Sequence, residues 1–212
     1  MVQSVAYEEN VSVTIRVPMN AADFNIYWNT HFPACPPIGY LLRDAYTDRW
    51  FRIHTLPESK RYPETAAEYA EILRRHNTIL ADLFPHGKVL ALLRTSYSAT
   101  PHPTPPDNLD RRYHPFVYVR SIPMHEEDEA EAFHLYWHIW LHLHRWQPQS
   151  LDPLLNDVAD NTIANVVLID LQRDAVYHPY DGGADIILGT QAERDHWRTT
   201  YRAWLSQHPS GL

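Results

Sequence analysis

Cysteine, glycine and lysine are scarce in this chain, and each scarcity removes a class of function. A single cysteine, Cys35, stands among 212 residues, which excludes an internal disulfide and the paired Cys-x-x-Cys arrangement of structural zinc and redox sites. Six glycines leave little from which to build a phosphate cradle of backbone amides. No glycine-rich loop, Gly-x-Ser-x-Gly elbow or His-Glu-x-x-His pair occurs. Basic residues number 18 against 26 acids, a formal charge of −8. Nucleic-acid backbones are bound by clustered Lys and Arg, so this balance argues against such a partner and favours a basic protein. No apolar run approaches the roughly 18 residues of a membrane span, and residues 1–10 carry two Glu and no basic n-region. The expectation is a cytoplasmic protein without membrane attachment.

What is present suits one folded unit. With 44% hydrophobic and 12% aromatic residues, a chain of this length buries roughly 70% of its extended surface, enough for a single globular domain over 1–212. Val11 to Val17 alternates as a half-buried strand does, and Asn20 is placed to cap a short helix reaching Trp28. Gly39 to Arg43 and Trp50 to Thr55, around the polar Tyr46 to Arg49, read as a hairpin. Thr65 to Phe84 is a long helix: Thr65 and Glu68 form a capping box, and Ile72, His76, Leu80 and Leu83 make an apolar stripe. Val89 to Leu93 is apolar without alternation, as in a strand covered on both faces. Five prolines between Thr100 and Pro115 mark an exposed loop, and Phe116 to Ile122 is a further strand. The acidic run Glu126 to Glu131 reads as a solvated turn, because its carboxylates lack ligand-like spacing.

Further on, Asp152 to Val158 reads as a short helix, and Ala164 to Asp170 and Ala175 to His178 as strands. Pro179 to Asp185 reads as a loop, Ile186 to Leu188 as a strand, and Gln191 to Ser206 as a terminal helix. Strands outnumber helices and most connections are short. The fold class is therefore α+β, a mainly antiparallel sheet with a long central helix and a C-terminal helix packed on it.

The segment Phe133 to His144 alternates strictly, with Phe, Leu, Trp, Ile, Leu and Leu at odd positions and histidine or aromatic residues at even ones. Period 2 predicts a strand. At about 3.3 Å per residue, His134 and His138 lie roughly 13 Å apart, too far to share one ion. His142 and His144, about 6.6 Å apart on one face, are the candidate zinc or other divalent-metal pair if a third ligand arrives from elsewhere. Otherwise the histidines fill a sheet face with Tyr136 and Trp140, a composition that also suits a partner surface.

Two loops carry the other candidate binding residues. Lys60, Arg61 and Tyr62 stand before the long helix, where the cations either hold an anion or pair with Glu58 and Glu64 as a surface turn. Tyr180, Asp181 and Asp185 flank Gly182 and Gly183. Those glycines are expected at positive-φ turn positions, and the two aspartates are candidate acid, base or cation ligands.

From Asn165 to Leu168 through the Tyr177 to Leu188 run, and on to the aromatic helix ending at Trp204-Leu205, the chain resembles an uncharacterised bacterial domain-of-unknown-function family. That family has a strand, a Tyr-Asp-x-x-Gly-x-Asp-like turn, another strand and a closing helix. It commonly carries Asp-Arg-Gly where this chain has Gly182-Gly183-Ala184. The helix ending at Leu83-Phe84 is similar to an upstream helix of the family. The resemblance implies no catalytic residue. Its similarity in size to immunity proteins of bacterial toxin systems implies binding only by analogy.

The leading expectation is a protein-binding module, an immunity-type neutraliser of a basic partner, without a cofactor. One alternative is a metal-assisted hydrolase or phosphoryl-transfer enzyme, with His142 and His144 on the metal, Asp181 or Asp185 as base, and Lys60 and Arg61 on an anionic substrate. That reading needs all three groups in one pocket. Another alternative is a structural homodimer subunit.

Overall fold

The structure, a computed structural model, describes residues 19–103, 113, 115–124 and 135–206. Its helices are α1 (Ala21–His31), α2 (Gly39–Ala45), α3 (Ala66–Leu83), α4 (Asp152–Ala159) and α5 (Gln191–Thr200). Its strands are β1 (Trp50–His54), β2 (Val89–Ser98), β3 (Val117–Pro123), β4 (Tyr136–Arg145), β5 (Val166–Asp170), β6 (Ala175–Tyr180) and β7 (Gly183–Ile187). The strands form one antiparallel sheet in the order β1-β7-β6-β5-β2-β4-β3, so the α+β class holds. The expected strand at 11–17, the acidic run and most of the proline-rich loop lie outside the described residues.

Local signals made the elements that were legible. Asn20 accepts from the Asp23 amide at the start of α1. Thr65 and Glu68 close a capping box at α3, whose Ile72, His76, Ile79, Leu80 and Leu83 are buried. Both devices pair amides that a helix start leaves unbonded, and each is worth on the order of 1 kcal/mol.

Alternation then sorts side chains between two cores. Phe51 and Ile53 of β1, Leu90 and Leu92 of β2, Val166 and Leu168 of β5 and Ala184 and Ile186 of β7 pack with α3 and α4. Their neighbours Ala91, Leu93, Val167, Ile169 and Ile187 pack with α1 and α2 around Phe24, Trp28, Phe32 and Leu42. The sheet is thus the middle of three layers. β5 and the first half of β2, Val89 to Leu93, are therefore apolar at nearly every position, because both their faces are covered.

Two local expectations are corrected. Residues 39–43 form helix α2, not a strand, and β1 pairs with β7, not with them. The spacing of the buried Ile38, Leu42 and Tyr46 is i, i+4, i+8, one helical face. Gly39 allows that helix to lie on β6, since a Cβ there would meet the His178 ring at 2.3 Å. Residues 179–185 are likewise not a loop: β6 runs to Tyr180 and β7 starts at Gly183, joined through Asp181-Gly182. Pro179 is tolerated because pairing with β5 ends at Tyr177, leaving a strand neighbour on one side only. Of the terminal helix, α5 ends at Thr200 and a short 3-10 turn follows at Arg202–Trp204. Among the described residues no helix is long and apolar enough to cross a membrane.

Candidate functional site

The burial of Phe51 and Ile53 against α3 turns Trp50, Arg52 and His54 to the opposite face, under α2. The same alternation brings His178 and Tyr180 of β6 and Asp185 of β7 to that face. Together with Tyr40 and Arg43 of α2 and Ser59 and Arg61 of the loop after β1, they line an open cleft of about 430 Å³.

Its floor is a charge pair. Asp185 accepts from Arg52 Nε at 2.8 Å and Nη2 at 2.9 Å, and from Trp50 Nε1 at 2.8 Å. Asp185 is 2% exposed, and the Arg52 guanidinium also lies 4.8 Å from the centre of the Tyr180 ring. At the rim, Arg61 Nε donates to Asp181 at 2.8 Å, and Tyr62 shares that carboxylate. The Arg61 guanidinium lies 5.3 Å from the Tyr62 ring centre. Burial, then the charges of Arg52 and Arg75, hold the His54 imidazole below its ordinary pKa, so it stays neutral near pH 7. Its Nε2 is buried without a hydrogen-bond partner among the described residues.

β4 presents a different picture. His138 is fully buried between Ser98 Oγ, 2.8 Å from Nε2, and Ser121 Oγ, 2.7 Å from Nδ1. Trp140 is 9% exposed, bonds Ser96 Oγ and packs edge-on to Tyr118. His142 Nδ1 lies 3.1 Å from the Pro115 carbonyl, and His144 Nε2 lies 3.0 Å from Ser150 Oγ. Their ring centres are 6.2 Å apart. Among the described residues no group of three His, Cys, Asp or Glu is placed to hold an ion. His142 and His144 register against Leu92 and Leu90, which puts them on the α3 face.

The candidate residues therefore separate. Arg61, Tyr180, Asp181 and Asp185 share the cleft on the α2 face, and Tyr62 adjoins it through Asp181. Lys60 is outside it, bonded to Glu68 at 2.6 Å and Glu64 at 3.1 Å, much as a surface turn requires. His142 and His144 lie across the sheet, so the one-pocket arrangement that a hydrolase would need is not assembled. Tyr136, which pairs with Ser98 and Pro123, and Trp140 stand on that other face too, half-buried and buried respectively.

Gly182 and Gly183 are also corrected: among the described glycines only Gly87 has positive φ. Gly183 is required by close approach, since a Cβ would lie 2.0 Å from the Ile53 carbonyl oxygen. Sequence reasoning missed Tyr40, Arg43, Arg52, His54 and His178. The available signal was alternation in Phe-Arg-Ile-His, where two buried apolar residues imply that Arg52 and His54 share the other face.

Burial of neutral imidazoles makes stability pH-dependent. His76, wholly enclosed with Nδ1 at 2.5 Å from the Tyr177 hydroxyl, is pushed down by burial to about 3. His144 is pushed down to about 4, by burial first and then by His142. Their contribution is complete above the unfolded value near 6.5. It is lost as protons bind the unfolded chain between there and the folded values. Urea midpoints are expected to be level from pH 8 to 7 and to fall steadily from about pH 6 to 4, with His76 alone contributing about 1.4 kcal/mol per pH unit. A flat profile over that interval would show the imidazoles to be charged in the fold.

A model for a family described as domain of unknown function (DUF3885) matches residues 38–209, from the start of α2 past α5. Neither a curated protein nor a solved structure matches the chain.

Proposed function

We propose that this chain, which belongs to the DUF3885 family, is a protein-binding module that engages a basic partner and performs no chemistry on it. One observation carries the reading: an aromatic strip beside the cleft. Tyr40 of α2 lies 6.4 Å from Trp137 of β4, ring centre to ring centre, and Trp137 lies 5.7 Å from Tyr97 of β2 in an edge-on contact. Tyr97 is 65% exposed and Tyr40 40%. Tyrosine and tryptophan concentrate at interface centres because they bury large rigid surfaces at low entropic cost. Trp137 had stood with the apolar positions of its strand, and it is the residue of β4 that reaches this surface.

The charge of −8 supplies long-range attraction for a basic protein, which speeds encounter and is screened by salt. The separation of His142 and His144 from the two aspartates supports recognition over turnover. The test uses each protein encoded beside this chain as the probe, by calorimetry at low ionic strength. One of them is expected to bind, more weakly as salt rises, with Trp137→Ala lowering affinity about tenfold or more. Binding by none of them, or a Trp137→Ala variant that binds equally well, would end this reading. So would light scattering that shows the strip holding a second copy of the chain.

A further inference from the structure

The cleft itself calls for a ligand of the opposite sign. Three guanidinium groups line it, from Arg43, Arg52 and Arg61, against the two carboxylates Asp181 and Asp185, in a chain whose acids outnumber its bases. Arg52 is committed to Asp185 through two nitrogens. The other two are not similarly engaged. Arg61 uses only Nε on Asp181, leaving both terminal nitrogens without a partner among the described residues. Among the described residues Arg43 has a single loose ion pair, Nε to Asp44 at 3.4 Å, and that nitrogen makes no hydrogen bond.

The wall that delivers Arg61 is strained. Glu58 and Ser59 occupy the left-handed region in succession, at φ 56° and 57°. Two such residues that are not glycine cost of order 1 kcal/mol or more each, and such strain gathers at ligand clamps.

We propose that this cleft is a binding site for a small phosphomonoester, its phosphate held between the guanidinium groups of Arg43 and Arg61. The two arginines come from different walls, α2 and the loop after β1. Three phosphate oxygens can satisfy donors from both walls, whereas the two coplanar oxygens of a carboxylate match a single guanidinium fork. A volume of about 430 Å³ leaves room for a sugar-sized body beside the tyrosines. Tyr40 belongs to both the cleft and the aromatic strip, but the two arginines that hold the phosphate are not part of the strip, and the site requires no protein partner.

Titration calorimetry of the full chain at low ionic strength tests it, with inorganic phosphate, ribose 5-phosphate, a phosphoserine peptide and succinate as probes. Inorganic phosphate and ribose 5-phosphate are expected to bind one to one, the sugar phosphate more tightly, with succinate weaker by about tenfold or more. Arg43→Gln breaks no buried ion pair, so it is expected to lower phosphate affinity about tenfold at an unchanged melting temperature. Asp181→Asn replaces the charged acceptor of Arg61 Nε by a neutral, weaker one and removes a repelling carboxylate, and is expected to tighten binding several-fold. Any one of four results would overturn the proposal: no binding by either phosphate, succinate binding as tightly as ribose 5-phosphate, Arg43→Gln without effect, or weaker binding in Asp181→Asn. Binding of the phosphoserine peptide without ribose 5-phosphate would overturn the small-molecule assignment.

Discussion

Replacing Asp185 by alanine is expected to destabilise the fold by about 3–5 kcal/mol, because it strands a buried cation. Arg52 is 11% exposed as a side chain, and both nitrogens that it gives to Asp185 would lose their acceptor, as would Trp50 Nε1. At roughly 2–4 °C per kcal/mol for a chain of this size, the melting temperature should fall by about 6–20 °C. The control is the pair Arg52→Met with Asp185→Leu, which removes both charges and keeps apolar volume. It is expected to recover most of the loss, since an ion pair taken out of water is often no better than well-packed hydrophobic residues. Equal melting temperatures for Asp185→Ala and the unaltered chain would mean that water reaches Arg52, and the enclosed floor of the cleft would have to be abandoned.

The second large effect comes from one methyl group. Gly183→Ala places a Cβ 2.0 Å from the Ile53 carbonyl oxygen, and 2.9 Å from the Tyr180 hydroxyl. The first obstacle is backbone, which cannot rotate away, so β1 must separate from β7 at their Ile53–Ala184 and His54–Gly183 pairs. A cost of about 3 kcal/mol is expected from such overpacking. Gly182→Ala is the comparison: its Cβ meets nothing nearer than 3.4 Å, at Arg61 Cγ and Tyr180 Cε2. Gly182 is buried, but contacts at ordinary van der Waals distance need no rearrangement, so the cost should stay below about 1 kcal/mol. Urea denaturation of the two variants separates close approach from backbone conformation. A turn that needed glycine for its φ angle would penalise both.

The same pair of glycines shows where one-dimensional reading stops. Adjacent glycines between two strands look like a positive-φ turn, and nothing within nine residues of Gly183 says that Ile53 lies against it. Arg52 and Asp185 are 133 positions apart, and each in isolation is an ordinary polar residue in a strand. The aromatic face of β4 misled for a related reason. Alternation divides Tyr136, His138, Trp140 and His142 correctly from Trp137, Ile139 and Leu141, but does not say which set meets solvent. β3, Tyr113 and Phe116 pack around Trp140 and His142, while α1 and α2 leave Trp137 half-covered beside Tyr97 and Tyr40.

By itself the sequence determined what is local. Capping residues and the apolar stripe specify α3, period 2 specifies β4, and uninterrupted apolar runs specify β2 and β5 as strands covered twice. Such features depend on neighbours within a turn or two of chain, and their signals lie side by side. Tertiary structure alone decided that β1 closes against β7, that α2 rests on His178, and that three arginines enter one cleft while the histidine pair lies behind the sheet. Periodicity states which side chains share a face. Which faces meet follows only from packing all of them at once.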